Sequence, residues 1–170
     1  MKQKSNSILL IVGGPGGSGS STISVMLSKH FNIPRIYAGD LFRKEAKKKD
    51  IESFEEFLED ISEGGNSLDL EIDTLLREYA KRGNLLIESK VFGAIAKIEG
   101  IKHTASIWID CDLDTRVRRH LGKEKKKSWN PFRKFLLKRD LKKRYGIDRE
   151  KYMRLYGIKY EKPNDYYDIV

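Results

Sequence analysis

The stretch "IVGGPGGSGSST", residues 11–22, constrains this chain more than any other part of it. A short apolar run from Ser7 to Val12 passes into five glycines within seven residues. A continuous apolar run of that length ending in glycines reads as a buried parallel strand. Beyond the glycines, Ile23, Met26, Leu27 and Phe31 recur at helical spacing. Strand, glycine turn and helix in that order fit the phosphate-loop signature Gly-x-x-x-x-Gly-Lys-[Ser/Thr] at Gly14, Gly19 and Ser21, with Ser20 in the lysine position. Such a loop holds an anion chiefly with backbone N–H groups and the positive end of the following helix, neither of which needs the lysine. The lysine adds a point charge against the β- and γ-phosphates. Ser21, supported by Thr22, still offers a hydroxyl to Mg²⁺. A plain glycine turn between a strand and a helix is the alternative at this point.

The rest of the chain keeps the same rhythm. "RIYAGD" reads as a short strand leading into the helix "DLFRKEAKKK". Ser53 and Glu56 form a capping box for a helix that Gly64 and Gly65 stop. Leu68, Ile72, Leu75, Leu76 and Tyr79 share one face of a further helix ended by Gly83. "NLLIES" and "ASIWIDCD" are strand-length apolar runs with a short helix between them, and "DYYDIV" reads as a last strand. Strands alternating with helices predict an α/β fold with a parallel sheet covered on both faces.

Composition narrows the class. No apolar run approaches the roughly 20 residues of a membrane span. The basic-then-apolar start "MKQKSNSILLIVGG" reads as the first strand rather than a leader, because its apolar part runs straight into glycine. The single cysteine, Cys111, excludes an internal disulfide and fits a cytoplasmic protein. The net charge of +9 is unevenly placed: residues 115–160 hold eighteen Lys/Arg against four Asp/Glu, while the remainder carries more acid than base. Such a segment seeks phosphate, on a small nucleotide or on a nucleic-acid backbone. The three histidines, His30, His103 and His120, show no metal spacing.

Five stretches, "GGPGGSGSST", "YAGDLFR", "LLIESK", "IWIDCDLDTRVRRH" and "RYGIDREKYMRLYGI", follow one another over nearly the whole chain. Together and in that order they resemble the short archaeal type of cytidylate kinase, among the P-loop nucleoside monophosphate kinases. In that family the corresponding stretches read roughly as a glycine loop, then "SAGEIFR", "VLEGRLAG", "WLDAPLEVRAERI" and "RYKEIYGI". Some members also carry Thr or Ser in place of the loop lysine.

The resemblance implies a three-layer P-loop fold in one domain, 1–170, with a five-stranded parallel sheet. Its core would be 1–39, 84–115 and 160–170, with helices for the nucleoside monophosphate at 40–83 and a basic lid at 116–159. It implies ATP-dependent phosphorylation of CMP or dCMP with Mg²⁺, by a monomer without a membrane partner. The alternatives are a kinase of the same fold with another acceptor such as AMP, UMP or a small alcohol, a non-catalytic nucleotide-binding protein, and a nucleic-acid-binding module using the basic segment. Gly14, Pro15, Gly16, Gly17, Ser18, Gly19, Ser20, Ser21 and Thr22 would bind ATP, with Ser21 at the metal. Arg43 would grip the acceptor phosphate, within an acceptor site of Ala38, Gly39, Asp40, Glu88 and Lys90. Asp40 and Glu88 would orient the metal's waters or the sugar hydroxyls. Arg116, Arg119, Arg144 and Arg149 would close over the transferring group, with Asp148 orienting them or binding the base. As alternatives, Arg43 would simply pair with Asp40 or Glu45, and Asp110 would cap a helix.

Three departures from the family pattern stand out. Lys90 replaces an arginine, Ala38 a serine often seen near the pyrimidine, and "KEKKKSWNPFRKF" is an unusual lid stretch. The family also continues past the last strand into a loop near the adenine and a final helix, which would lie beyond Val170.

Overall fold

A computed structural model describes residues 7–48, 67–123 and 130–170. The helix expected over residues 53–65 and the lysine-rich stretch with Trp129 lie outside the described residues.

Strand β1, Leu9–Gly13, is buried along its whole length and forms the centre of the sheet. It pairs in parallel with β3, Leu85–Glu88, on one side and β4, Ala105–Trp108, on the other. Strand β2, Arg35–Tyr37, adds to the outside of β3, giving the order β2-β3-β1-β4. Alternation along these strands sorts side chains between two cores. Leu10, Val12 and Leu86 pack with Ile33 and Leu27 beneath α1, Ser20–Phe31. Leu9, Ile11, Leu85 and Ile87 face a larger core containing Phe92, Trp108 and Tyr160. The sheet is thus apolar on both faces, which is why its strands read as unbroken apolar runs.

The larger core is closed by α3, Ser67–Arg82, and α4, Phe92–Ile98. On α3, Leu68, Ile72 and Leu76 are buried as their spacing predicts, whereas Leu75 keeps 39% of its surface exposed. Helix α2, Ala38–Lys48, starts directly at the end of β2, two residues earlier than expected. Helix α5, Leu113–Lys123, follows β4 and is capped by Asp112 rather than Asp110: Thr115 N donates to Asp112 Oδ1 at 2.8 Å and Thr115 Oγ1 to Oδ2 at 2.7 Å.

Helix α6 runs without a break from Pro131 to Tyr156. Proline at the first helical position costs no hydrogen bond, and Asn130 Oδ1 caps the turn by accepting from Phe132 N at 2.9 Å. Pro131 therefore opens this helix. Gly157 closes it at φ 66, with Ile158 N donating to Tyr152 O.

The fifth strand is the main correction to the fold expected above. Pro163–Asp165 form a 3-10 turn, and the final segment makes a single parallel bridge, Ile169 to Ile107. Asp168 explains the shortness of the pairing. Its carboxylate accepts from Ser106 N and Ser106 Oγ, each at 2.7 Å, and so takes the donor a strand carbonyl would need. Tyr167 then turns inward to pack at a tilt against Trp108, with ring centroids 5.1 Å apart, over Gly93 and Gly13.

Candidate active site

The segment from Gly14 to Gly19 crosses the end of the sheet between β1 and α1. Gly14 has φ 151, and a Cβ there would stand 2.2 Å from Ile109 O. Gly19 has φ 105 and forms the N-cap of α1. The two signature glycines are thus required, one by a backbone neighbour and one by backbone conformation. Ser20, Ser21 and Thr22 make the first turn of α1, whose leading N–H groups have no partner within the helix.

Two arginines of α5 grip carbonyls of the loop. Arg116, only 8% exposed, donates through Nε to Gly16 O at 2.8 Å. Arg119 Nη1 donates to Gly17 O at 3.2 Å and also to Ser18 O. With the Gly16, Gly17 and Ser18 carbonyls engaged by guanidinium groups, the loop keeps backbone N–H groups and positive charge to offer an anion. His120 shows no metal spacing, yet it sits so close that a Cβ on Gly17 would meet its ring at 2.9 Å. Cys111 is half-buried with its thiol against Gly17 O, a packing role.

One cleft joins Pro15 and Gly16 with Arg116, Lys90, Arg144 and Asp148. Residues 90 and 148 meet there: Lys90 Nζ donates to Asp148 Oδ2 at 2.5 Å. Burial pushes the Lys90 ammonium below its ordinary value, and the Asp148 carboxylate partly offsets this. Arg149, also on α6, is exposed and does not line the cleft.

On the other side of the loop, Ser21 Oγ donates to Glu88 Oε1 at 2.6 Å. Glu88 is 3% exposed at the end of β3, and its second oxygen accepts from Arg35 Nε at 2.6 Å. Hydroxyl and carboxylate are hard oxygen donors. They suit Mg²⁺, which takes one or two carboxylates and fills its shell with water and substrate phosphate. Among the described residues no cluster of three His, Cys, Asp or Glu is placed to hold a metal without such help.

The remaining acceptor-site expectations fall on α2. Ala38 is 8% exposed and packs into the larger core, so its methyl group is structural. Gly39 lies against Tyr37, whose ring a Cβ would meet at 2.5 Å. Asp40 and Arg43 pair with each other at 2.7 Å on the surface, and Arg43 also lies over the Tyr37 ring at 5.3 Å. The structure therefore brings Glu88 to Ser21 and Lys90 to Asp148, while Asp40 pairs with Arg43. Sequence reading missed Arg35 and Tyr37. Only the parallel register that sets Tyr37 beside Glu88 reveals them, and no local pattern encodes that register.

Beyond the cleft, α6 is fastened to α3 by two polar contacts. Lys151 Nζ donates to Asp69 Oδ1 at 2.8 Å, and Tyr156 OH donates to Asp73 Oδ2. Both carboxylates are buried, and burial pushes Asp73 up to about 6.

Comparison with known proteins agrees with this geometry. The AAA domain family matches residues 12–130. The cytidylate kinase of Pyrococcus horikoshii is 32% identical over 151 residues, covering 89% of this chain and 72% of its own length. The cytidylate kinase of Methanococcus vannielii is 30% identical over 163 residues, 96% of this chain and 88% of its own. That of Thermococcus kodakarensis is 32% identical over 165 residues, 96% and 78%. Among solved structures, an uncharacterized protein from Eubacterium ventriosum superposes with TM-score 0.66 at 19% identity, covering 95% of this chain and 85% of that one. Shikimate kinase from Bacteroides thetaiotaomicron does so with TM-score 0.57 at 13% identity, covering 95% and 83%. These two share the fold. Among the described residues no helix is long and apolar enough to cross a membrane.

Proposed function

The chain belongs to the AAA domain family and to the cytidylate kinases, and we propose that it transfers the γ-phosphoryl group of ATP to CMP or dCMP. The observation that carries this reading is the single cleft in which the glycine loop meets Arg116, Lys90, Arg144 and Asp148. Phosphoryl transfer needs little covalent chemistry from a protein and much positioning and positive charge, which is what this cleft offers.

In this reading the loop from Gly14 to Thr22 cradles the ATP phosphates with its N–H groups and the start of α1. Arg116, already anchored on Gly16 O, lines the cleft with Arg144 where charge spreads during transfer, and Arg119, anchored on Gly17 O, would close over the same group. Lys90 takes the acceptor phosphate, with Asp148 fixing the direction of its ammonium. Arg43 joins it by exchanging Asp40 for phosphate oxygens. An exposed pair of this kind is worth only about 0–1 kcal/mol, so the exchange costs little. Ser21 and Glu88 would hold Mg²⁺, which when bound neutralises charge on the β- and γ-oxygens. Residues 40–83 serve as the acceptor-binding insert and 116–159 as the lid.

A coupled assay against CMP, dCMP, UMP and AMP tests the proposal. The expected result is a kcat/KM for CMP or dCMP above those for UMP and AMP, dependent on Mg²⁺. Absence of turnover with all four acceptors at high enzyme concentration overturns it, and a preference for AMP or UMP overturns the acceptor assignment alone.

A further inference from the structure

Position 20 brings no charge to the phosphate loop, yet a fixed cation is built into the sheet beneath it. Arg35 belongs to β2, the edge strand, and faces the same side of the sheet as Glu88 and α1. Its guanidinium places Nε at 2.6 Å and Nη2 at 2.5 Å from one oxygen of Glu88, Oε2. The other oxygen, Oε1, is the one that accepts from Ser21 Oγ. The carboxylate is thus divided, one oxygen for the cation and one for the loop hydroxyl. Two residues along the strand, the Tyr37 ring lies under the guanidinium at 4.7 Å and limits its freedom.

We propose that Arg35 is a positioning residue of the donor site: it locks the buried Glu88 carboxylate so that Ser21 donates to it and turns its oxygen lone pairs toward the nucleotide's metal. The inference rests on the kinase reading above. Serine has one O–H to give, so directing that proton to Glu88 decides where its lone pairs point. A carboxylate as buried as Glu88 is costly to leave without its cation, and without Arg35 its Oε2 loses the two bonds that fix the orientation in which Oε1 faces Ser21. Mere stapling of the fold is a different job, and the molecule carries an internal control for it. Arg77 forms a similar fork on Glu99, with Nε at 2.9 Å from Oε2 and Nη2 at 2.6 Å from Oε1, on residues distant in sequence from the loop.

The test reads binding rather than turnover. ATP affinity is measured by calorimetry with Mg²⁺ and again with EDTA, and the ratio of the two constants is compared across variants. Arg35→Gln is expected to lower that ratio about tenfold while the EDTA value stays near wild type. Arg35→Lys keeps the charge but loses the fork, and is expected to lower the ratio about threefold. Arg77→Gln should leave it unchanged. A wild-type ratio in either Arg35 variant, folded by circular dichroism, overturns the inference; should Arg35→Gln not fold, Arg35→Lys decides. An unchanged ratio alongside wild-type CMP turnover sinks this inference alone, whereas no ATP binding by the wild-type chain removes the kinase reading with it.

Discussion

The phosphate loop and helix α2 follow β1 and β2, two strands with β3 between them, and are built in opposite ways. The loop is backbone pressed into a tight space, with Gly14 against Ile109 O and its carbonyls held by Arg116 and Arg119. Helix α2 presents long charged side chains on the surface, where Asp40 and Arg43 hold each other. A donor group that every turnover shares can be met by a rigid shape. An acceptor that must enter and leave is better served by side chains whose existing bonds are weak. The contrast predicts that substitutions at the loop act on stability and binding together, and those at the exposed Asp40 and Arg43 of α2 on acceptor affinity alone.

The largest effect expected is at Gly14. Gly14→Val places a side chain on backbone that cannot yield, and should cost about 3 kcal/mol or more in urea unfolding together with ATP binding. An unchanged urea midpoint would remove tight backbone packing as the basis of the donor side.

Asp73 tests whether the acceptor side also has a rigid part, where α3 meets α6. Its carboxyl is raised from 3.8 to about 6 by burial, against the opposing hydrogen bond from Tyr156. The folded protein therefore binds this proton more tightly than the unfolded chain does. The stabilising contribution is present below about pH 4 and is lost as pH rises through 6. Relative to wild type, Asp73→Asn should gain up to about 3 kcal/mol above pH 6 and none near pH 4. A difference independent of pH, from unfolding curves at pH 4, 5.5 and 7, contradicts this.

At the surface, Arg43→Ala should raise the KM for CMP about tenfold, the loss of one charged hydrogen bond, and shift stability by less than about 0.5 kcal/mol. A fall in kcat with KM unchanged would place Arg43 in the transfer step instead. Ser20→Lys should have the smallest effect. Arg116 and Arg119 already stand on the loop, so kcat should change far less than the roughly 100-fold that restoring a missing transition-state donor would give.

How much of this was legible in the sequence follows the same division. Glycines at positions 14 and 19 announce their backbone conformations, and the apolar runs of β1, β3 and β4 announce a sheet covered on both faces. The order of the loop and helices could be read for that reason. Pairings over long sequence distances could not, because they follow from register: Arg35 meets Glu88 across 53 residues and Lys90 meets Asp148 across 58. The failed fifth strand has the same cause. "DYYDIV" has the composition of a strand, but the Asp168 side chain claims Ser106 N before a backbone carbonyl can. Ala38 was expected at the acceptor and is core, since α2 starts directly at the end of β2.

Helix α6 has a mechanical consequence. Its C-terminal part is pinned to α3 through Lys151 and Tyr156, while its first turn begins twenty positions before Lys151. At 1.5 Å per residue that is a rigid arm of about 30 Å, so a tilt of about 10° at the pin sweeps the far end through about 5 Å. Nearer the pin, seven and three residues before Lys151, Arg144 and Asp148 would travel proportionally less. Because Lys138 Nζ on this arm also bonds Asp114 of α5 at 2.9 Å, a tilt about the pin would carry α5, and with it Arg116 and Arg119, along with the basic end.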